Sequence, residues 1–491
     1  MEAIYEKEIV CIFNSYSINT ISLLPRKENK ELVSNTDNLV SFTVDGVESK
    51  TMPTKGSGYI ANKITCKNGS IITFDNDNYI IEVEKLESAD ACKIDFSKEK
   101  GSNTVTVTIS NTNKIDSTSK TTTEGGKVVF YLTGEPESIT GGEYTLSSNK
   151  LIVNNIISNI NLNITMSKTL YDQLLIDNST IKTRTDFDTT FTETNTGTLY
   201  KATESIAGNT PKDVYYFAGD AKNNWVKFGG FYWRIIRTNY DGSIRLLYSG
   251  TSHNTTEGYI GKSAFNSTFK DPMYVGYMYG TSGSLDSNRT NTNNSTIKTY
   301  IDNWYNNNLS SYSKYISTEA VYCNDRELAQ GSTYKTGNTT FDYAPRGRLD
   351  TNKTPAYNCT NIKDAFSGSN SEAKLTYPIG LMTADEVAYA GGKAFTNLPS
   401  PYAWYYLNSA GGSITGSTYW YSLSPIYWYG SFSWVWGVAG SDNTGYLGRN
   451  DVLGSLAVRP VISLKSCTLY STGNGAPETP YEIVLDPDIS C

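Results

Sequence analysis

The sequence predicts a multidomain, β-rich chain in which two small all-β units precede one larger α+β unit. Three observations predict it. Short runs of alternating apolar and polar residues, separated by turn signals, recur between residues 36 and 166. Helical spacing with capping signals enters at Ser295 and again at Thr383. At 491 residues the chain is long enough for two to four domains.

The elements follow in order. Residues 1–35, with Lys and Glu clustered at 26–31, read as a poorly ordered lead-in. Residues 36–100 read as a small β domain. Val40-Ser-Phe-Thr-Val44 alternates at period two, and residues 71–74 and 79–83 follow as strands. Asp75-Asn-Asp-Asn78 between them lacks the glycine and distal glutamate of a calcium loop and reads as a turn. Residues 101–166 read as a second β domain. Val105, Val107 and Ile109 face one way and threonines the other. Residues 128–132 read as a central strand, Gly141-Gly142 as a turn, and residues 151–153 and 160–164 complete the set. Such spacing suggests an immunoglobulin-like sandwich. Residues 167–200, rich in Thr, Asp and Asn, read as a linker with a short helix at 170–176.

The largest unit is expected at 201–465. Tyr240-Asp-Gly-Ser243 sits between two apolar runs and predicts a hairpin. Ile297, Tyr300, Ile301, Trp304, Tyr305 and Leu309 recur at helical spacing, with Ser295 as the N-cap. Thr383-Ala-Asp-Glu386 is a capping box, and Gly391-Gly392 stops that helix. Residues 457–464 read as a buried closing strand, whose Pro460 requires an edge or a bulge. Arg459 is expected to cap carbonyls or pair with a carboxylate inside the fold, and Arg346 and Arg348 to decorate a loop. Residues 466–491 read as a C-terminal tail.

Composition narrows the function. The chain is 38% hydrophobic, 12% aromatic and only 19% charged, and its net charge is 42 − 49 = −7. Its longest basic run is Pro345-Arg-Gly-Arg348, so nucleic acid is not an expected partner. The single histidine, His253, lies in a Ser/Asn/Thr loop. That excludes His-paired zinc sites, and Ser–His or Cys–His catalysis unless His253 itself serves. No metal or cofactor is expected. The seven cysteines form no CxxC pair. The pairings expected are Cys66 with Cys92, Cys323 with Cys359 and Cys467 with Cys491, leaving Cys11; the alternative is buried free thiols. Disulfides would place the protein in an oxidising compartment, outside the cell or on its surface. No run of 18 apolar residues encodes a membrane span, so membrane attachment would need an anchor not visible in the sequence. Ile9-Val-Cys-Ile-Phe13 is too short for a signal-peptide core, so export would need an upstream segment.

Thirteen of the 35 residues from Tyr402 to Trp436 are aromatic, and five of the eight tryptophans lie there. Gly, Ser, Asn and Pro separate them. Two readings stand: an aromatic core in a loop-rich fold, or a contact surface of rigid rings and adaptable polar groups. The Gly and Ser interleaving favours the second, because it would weaken a packed element.

A hairpin, two helices, a long irregular segment and a closing strand together resemble the C-type-lectin-like fold. The residues are similar to its bacterial formylglycine-generating-enzyme-like and retroelement variable-protein branch. The stretches that carry the resemblance are Trp225-Val-Lys-Phe-Gly-Gly-Phe-Tyr-Trp-Arg-Ile-Ile-Arg237, Gly380-Leu-Met-Thr-Ala-Asp-Glu-Val387, Tyr419-Trp-Tyr-Ser-Leu-Ser-Pro425 and Gly445-Tyr-Leu-Gly-Arg-Asn450 with residues 457–464. The two β units look like adaptors of Gram-positive surface proteins. Catalytic members use a late cysteine pair, and no cysteine lies between Cys359 and Cys467. Calcium lectins use Glu-Pro-Asn or Gln-Pro-Asp with Trp-Asn-Asp, and neither occurs. The variable-protein branch displays a ligand-binding face near its C-terminus. By that resemblance the face maps to Ile426, Tyr427, Trp428, Tyr429, Ser433, Gly437, Ser441, Asp442, Tyr446, Arg449 and Asn450. In that branch the face is sometimes diversified by a retroelement that randomises template adenines; a randomised Asn codon cannot give Trp while its third base stays a pyrimidine, so Trp428 argues against simple randomisation there. Trp420, Trp434 and Trp436 read as scaffold.

The function expected is therefore a non-enzymatic surface receptor or adhesin, binding protein or glycan outside the cell through residues 426–450. A structural envelope stalk is the alternative. A carbohydrate-active enzyme is the third reading, because Asp385, Glu386 and Asp442 supply carboxylates; Asp385 and Glu386 also suit the first turn of a helix.

Overall fold

Alternation in the sequence becomes sheet in the structure. The computed structural model describes residues 40–485 apart from 86, 88–89, 99–103, 113 and 401. The lead-in at 1–35, Cys11 and Cys491 lie outside the described residues. The protein is mostly β, 40% strand against 14% helix, with many sheets. It divides into two compact units, one ending at Ser167 and one beginning at Lys168.

The first unit holds two cores. Val47–Ser49, Val40–Val44, Cys92–Lys98 and Tyr59–Cys66 form one four-stranded sheet in that order. The hairpin Ile71–Asp75/Ile80–Lys85 adds to its core, where Phe42, Ile72, Ile81, Ile94 and Phe96 are buried. The Asp75 carboxylate accepts hydrogen bonds from the backbone N–H of Asp77 and Asn78, at 2.8 and 3.0 Å, so this segment is a side-chain-capped turn. The second core lies between two sheets. Val105, Val107 and Ile109 of Thr104–Ser110 and Leu162 and Ile164 of Ile160–Met166 meet Val128, Phe130, Leu151 and Val153 of the other sheet. The strand Gly126–Tyr131 is an edge of its sheet, not central as the sequence suggests. Its outward Lys127 and Tyr131 are exposed, which an edge tolerates.

The second unit is larger than the sequence suggests. Residues 167–200 are not a linker. The helix Leu170–Asp177 opens with a Thr169/Asp172 capping box and buries Leu170 and Leu174 in the main core. Thr180–Lys182 then pairs in parallel with Thr198–Glu204 at one end of a ten-stranded sheet. The expected tail also joins this sheet. Tyr481–Ile483 lies parallel to Trp225–Phe228, and the buried Tyr481 donates its hydroxyl to Asp177 at 2.9 Å. Polar composition hides both segments, because one apolar residue every four suffices to dock a short helix.

The local signals inside the unit hold. Phe231–Thr238 and Ile244–Tyr248 form the hairpin around Asp241-Gly242. Thr296–Asn308 is a helix capped by Ser295, with Ile297, Ile301 and Tyr305 buried. Ala384–Ala390 carries the Thr383/Glu386 capping box and ends at Gly391, whose φ of +122° suits glycine. Pro460 begins the strand Pro460–Leu464, a position that needs no N–H from its first residue. Arg459, fully buried, donates to the carbonyls of Tyr248, Gly258 and Tyr405 and lies over the Trp420 ring.

Two disulfides join distant positions, Cys66 to Cys92 and Cys323 to Cys359. Cys467 is disulfide-bonded as well, and its expected pairing with Cys491 falls outside the described residues. The intramolecular bridges fit an oxidising environment. Among the described residues no helix is long and apolar enough to cross a membrane.

Candidate functional site

The proposed face is built on a second sheet of the C-terminal unit. Trp420–Tyr429 pairs with Thr340–Asp342 on one side and with Phe432–Val438 on the other, and Phe432–Val438 continues to Leu447–Asp451. Gly430, at φ +70°, and Ser431 form the two-residue turn between the long strands. Residues opposite one another in an antiparallel pair share a face. The registers Tyr429↔Phe432, Tyr427↔Trp434, Trp434↔Asp451, Trp436↔Arg449 and Asp342↔Tyr427 therefore put these side chains on one side. Phe341, Trp428, Ser433, Val435 and Asn450 go to the other.

The eleven residues expected to form one surface are thus divided. Ile426, Trp428, Ser433 and Gly437 are buried on the core side. Trp428 donates its indole N–H to the Gly337 carbonyl at 3.1 Å, and Ser433 donates to the Asp271 carbonyl at 2.6 Å. Asn450 is half-buried there, against Gly437. The dense aromatic segment is mostly core: Trp404, Trp420, Trp428 and Trp436 are all fully buried. Ser441 and Asp442 are exposed on a separate turn, Ser441–Asn443. Tyr446 is half-buried and near Phe395, which packs on Trp436. The face that remains holds Tyr427, Tyr429 and Arg449.

The sequence reading missed its other members. Tyr429 is 64% exposed and Phe432 39% exposed, side by side at the hairpin tip. Phe269 stacks on Phe432 with ring centres 4.5 Å apart. Trp434, assigned to scaffold, is only partly buried and lies 5.7 Å from the Tyr427 ring. Tyr427 itself is 5% exposed and held between two arginines. Arg449 donates to its hydroxyl at 2.9 Å, and Arg346 sits over its ring at 5.0 Å. Arg346 is not loop decoration; Asp342 fixes it at 2.6 Å. Period-two counting outward from Gly430-Ser431 is the sequence signal that finds Phe432 and Trp434.

The carboxylates behind the enzyme reading are committed elsewhere. Glu386 caps its own helix and pairs with Arg237 and Arg245, at 2.9 and 2.7 Å, all three fully buried. Burial pushes its carboxyl up, but the two arginines outweigh that and hold it below the usual glutamate range. Asp385 is bidentate with Arg348, which also reaches Asp325 at 2.7 Å. Arg348 is therefore a half-buried tether, again not loop decoration. These groups line a cavity of about 20 Å3, room for about one water molecule. His253 Nδ1 lies 2.5 Å from Ser409 Oγ, and the Ser409 N–H donates to the His253 carbonyl. This pair of hydrogen bonds ties two loops together.

No family model matches the chain, and no curated protein or solved structure matches it either.

Proposed function

We propose that the chain is a non-enzymatic ligand-binding protein of the cell exterior, with a C-type-lectin-like head and immunoglobulin-like adaptors before it. Its partner is an extracellular protein, bound at the hairpin tip around Tyr429 and Phe432. The observation that carries this reading is the pair of exposed rings backed by Trp434, Tyr427, Arg346 and Arg449. Large aromatic and arginine side chains dominate binding energy at protein interfaces. Here the exposed rings sit on a paired hairpin, and their side chains have few rotatable bonds, so little side-chain entropy is lost on binding. The two disulfides suit work in an oxidising space.

The test compares the full chain with Tyr429→Ala and Phe432→Ser on arrays of purified extracellular proteins and of glycans. The expected result is a protein that binds the parent chain and loses about 2 kcal/mol of affinity with either variant. The variants keep the parent melting temperature. A glycan lost in the same way would move the partner class to carbohydrate. If no arrayed molecule distinguishes parent from variants, the stalk reading takes over.

A further inference from the structure

A second concave surface of the C-terminal unit shares no residue with the aromatic hairpin. One wall is the short ladder of Met278–Tyr279 with Asn293–Asn294. The other is the outer stripe of the helix Thr296–Asn308, where Thr296, Thr299, Tyr300 and Asn303 recur at i, i+3, i+4 and i+7. The inner stripe of the same helix, Ile297, Ile301 and Tyr305, is core. Between the walls lies a cleft of about 410 Å3, in the range of roughly 300–1,000 Å3 typical of ligand pockets.

The lining is unusual in chemistry. Three asparagines (Asn266, Asn294, Asn303) and two tyrosines (Tyr279, Tyr300) are joined only by serines and threonines. No lining residue carries a formal charge. Asn266 is 2% exposed, and its side-chain N–H2 meets no acceptor among the described residues. Other lining groups are fixed. Tyr300 donates to the Ile260 carbonyl, Thr296 Oγ1 accepts from the Ser267 N–H, and Thr299 donates to the Ser295 carbonyl. The amides of Asn294 and Asn303 make no hydrogen bond to the described residues, so their donors and acceptors face outward.

The geometry points to a binding site for a neutral saccharide. A phosphate or carboxylate ligand would find no counter-charge here. An apolar ligand would strand the amides and hydroxyls it covered. A saccharide offers hydroxyls that both donate and accept, matching amide and hydroxyl partners, and flat C–H faces for the two tyrosine rings.

Ligand-observed NMR on the full chain tests this. The probes are glucose, galactose, N-acetylglucosamine and lactose, titrated to about 10 mM, with glucuronic acid and a Gly-Ser hexapeptide beside them. At least one neutral sugar is expected to bind the parent chain and Tyr429→Ala equally. The double variant Thr299→Ala/Asn303→Ala, both exposed positions, should bind it about tenfold more weakly with an unchanged melting curve. Absence of any neutral-sugar signal, or binding indifferent to the surface pair, overturns the inference. Preference for glucuronic acid or the peptide overturns it as well.

Discussion

Neighbours in sequence can have opposite roles, and Trp428 and Tyr429 are such a pair. Trp428 is fully buried with its indole N–H satisfied, and Tyr429 is 64% exposed. Trp428→Ala is expected to cost about 3–5 kcal/mol of stability, as buried aromatic truncations do. Tyr429→Ala should stay within about 0.5 kcal/mol. Urea denaturation of the two variants checks this directly. Glu386 gives the second prediction at this scale. Its folded pKa is depressed, so its contribution is present above the unfolded glutamate value, about 4.3, and fades as pH falls through the folded one. Stability should therefore drop on acidification below about pH 4.3. Glu386→Gln should flatten that drop and cost about 3–5 kcal/mol at neutral pH, because Arg237 and Arg245 lose their shared buried partner.

Elements owe their stability to what they pack on and to the bridges that hold them. Cys66–Cys92 ties two strands at a registered pair, in a half-unit whose core is small. Cys323–Cys359 closes a 36-residue separation in the larger unit. Replacing either pair by Ala should cost about 2–4 kcal/mol. Cys66→Ala/Cys92→Ala is expected to be the more damaging to folding, since small cores depend more on such staples. Thermal melts with and without reductant measure both. The strand Tyr481–Ile483 also matters beyond its three residues. Tyr481 is buried and bonded to Asp177 of the first helix, so Tyr481→Ala should loosen both chain ends of the unit at once. Hydrogen exchange at 170–177 should rise in that variant above the level set by its global stability.

At the scale of the whole molecule, the two compact units and their separate cores predict two transitions in calorimetry, with the Cys66/Cys92 variant moving only one of them. Much of this architecture was legible. Alternation at 104–110, the Asp241-Gly242 hairpin, the Ser295 and Thr383 caps and two disulfide pairs are local signals, each acting within one element or on one chemistry. What was not legible involves partners far along the chain. The short helix at 170–177 was legible, but its segment looked like linker because the surface it docks on is a sheet assembled from residues up to 483. The candidate face was half legible. The sequence located the aromatic segment and Tyr427, Tyr429 and Arg449, yet it merged two sides of a sheet into one surface. Arg346, Asp342 and Phe269 reach that face from 81 to 163 residues away in sequence, through pairing that no local pattern encodes. The sequence by itself determined where strands, caps and turns form, because backbone geometry and side-chain alternation are properties of neighbours. Tertiary structure alone decided which aromatic rings are core and which meet solvent, because burial depends on the register of one strand against others distant in the chain.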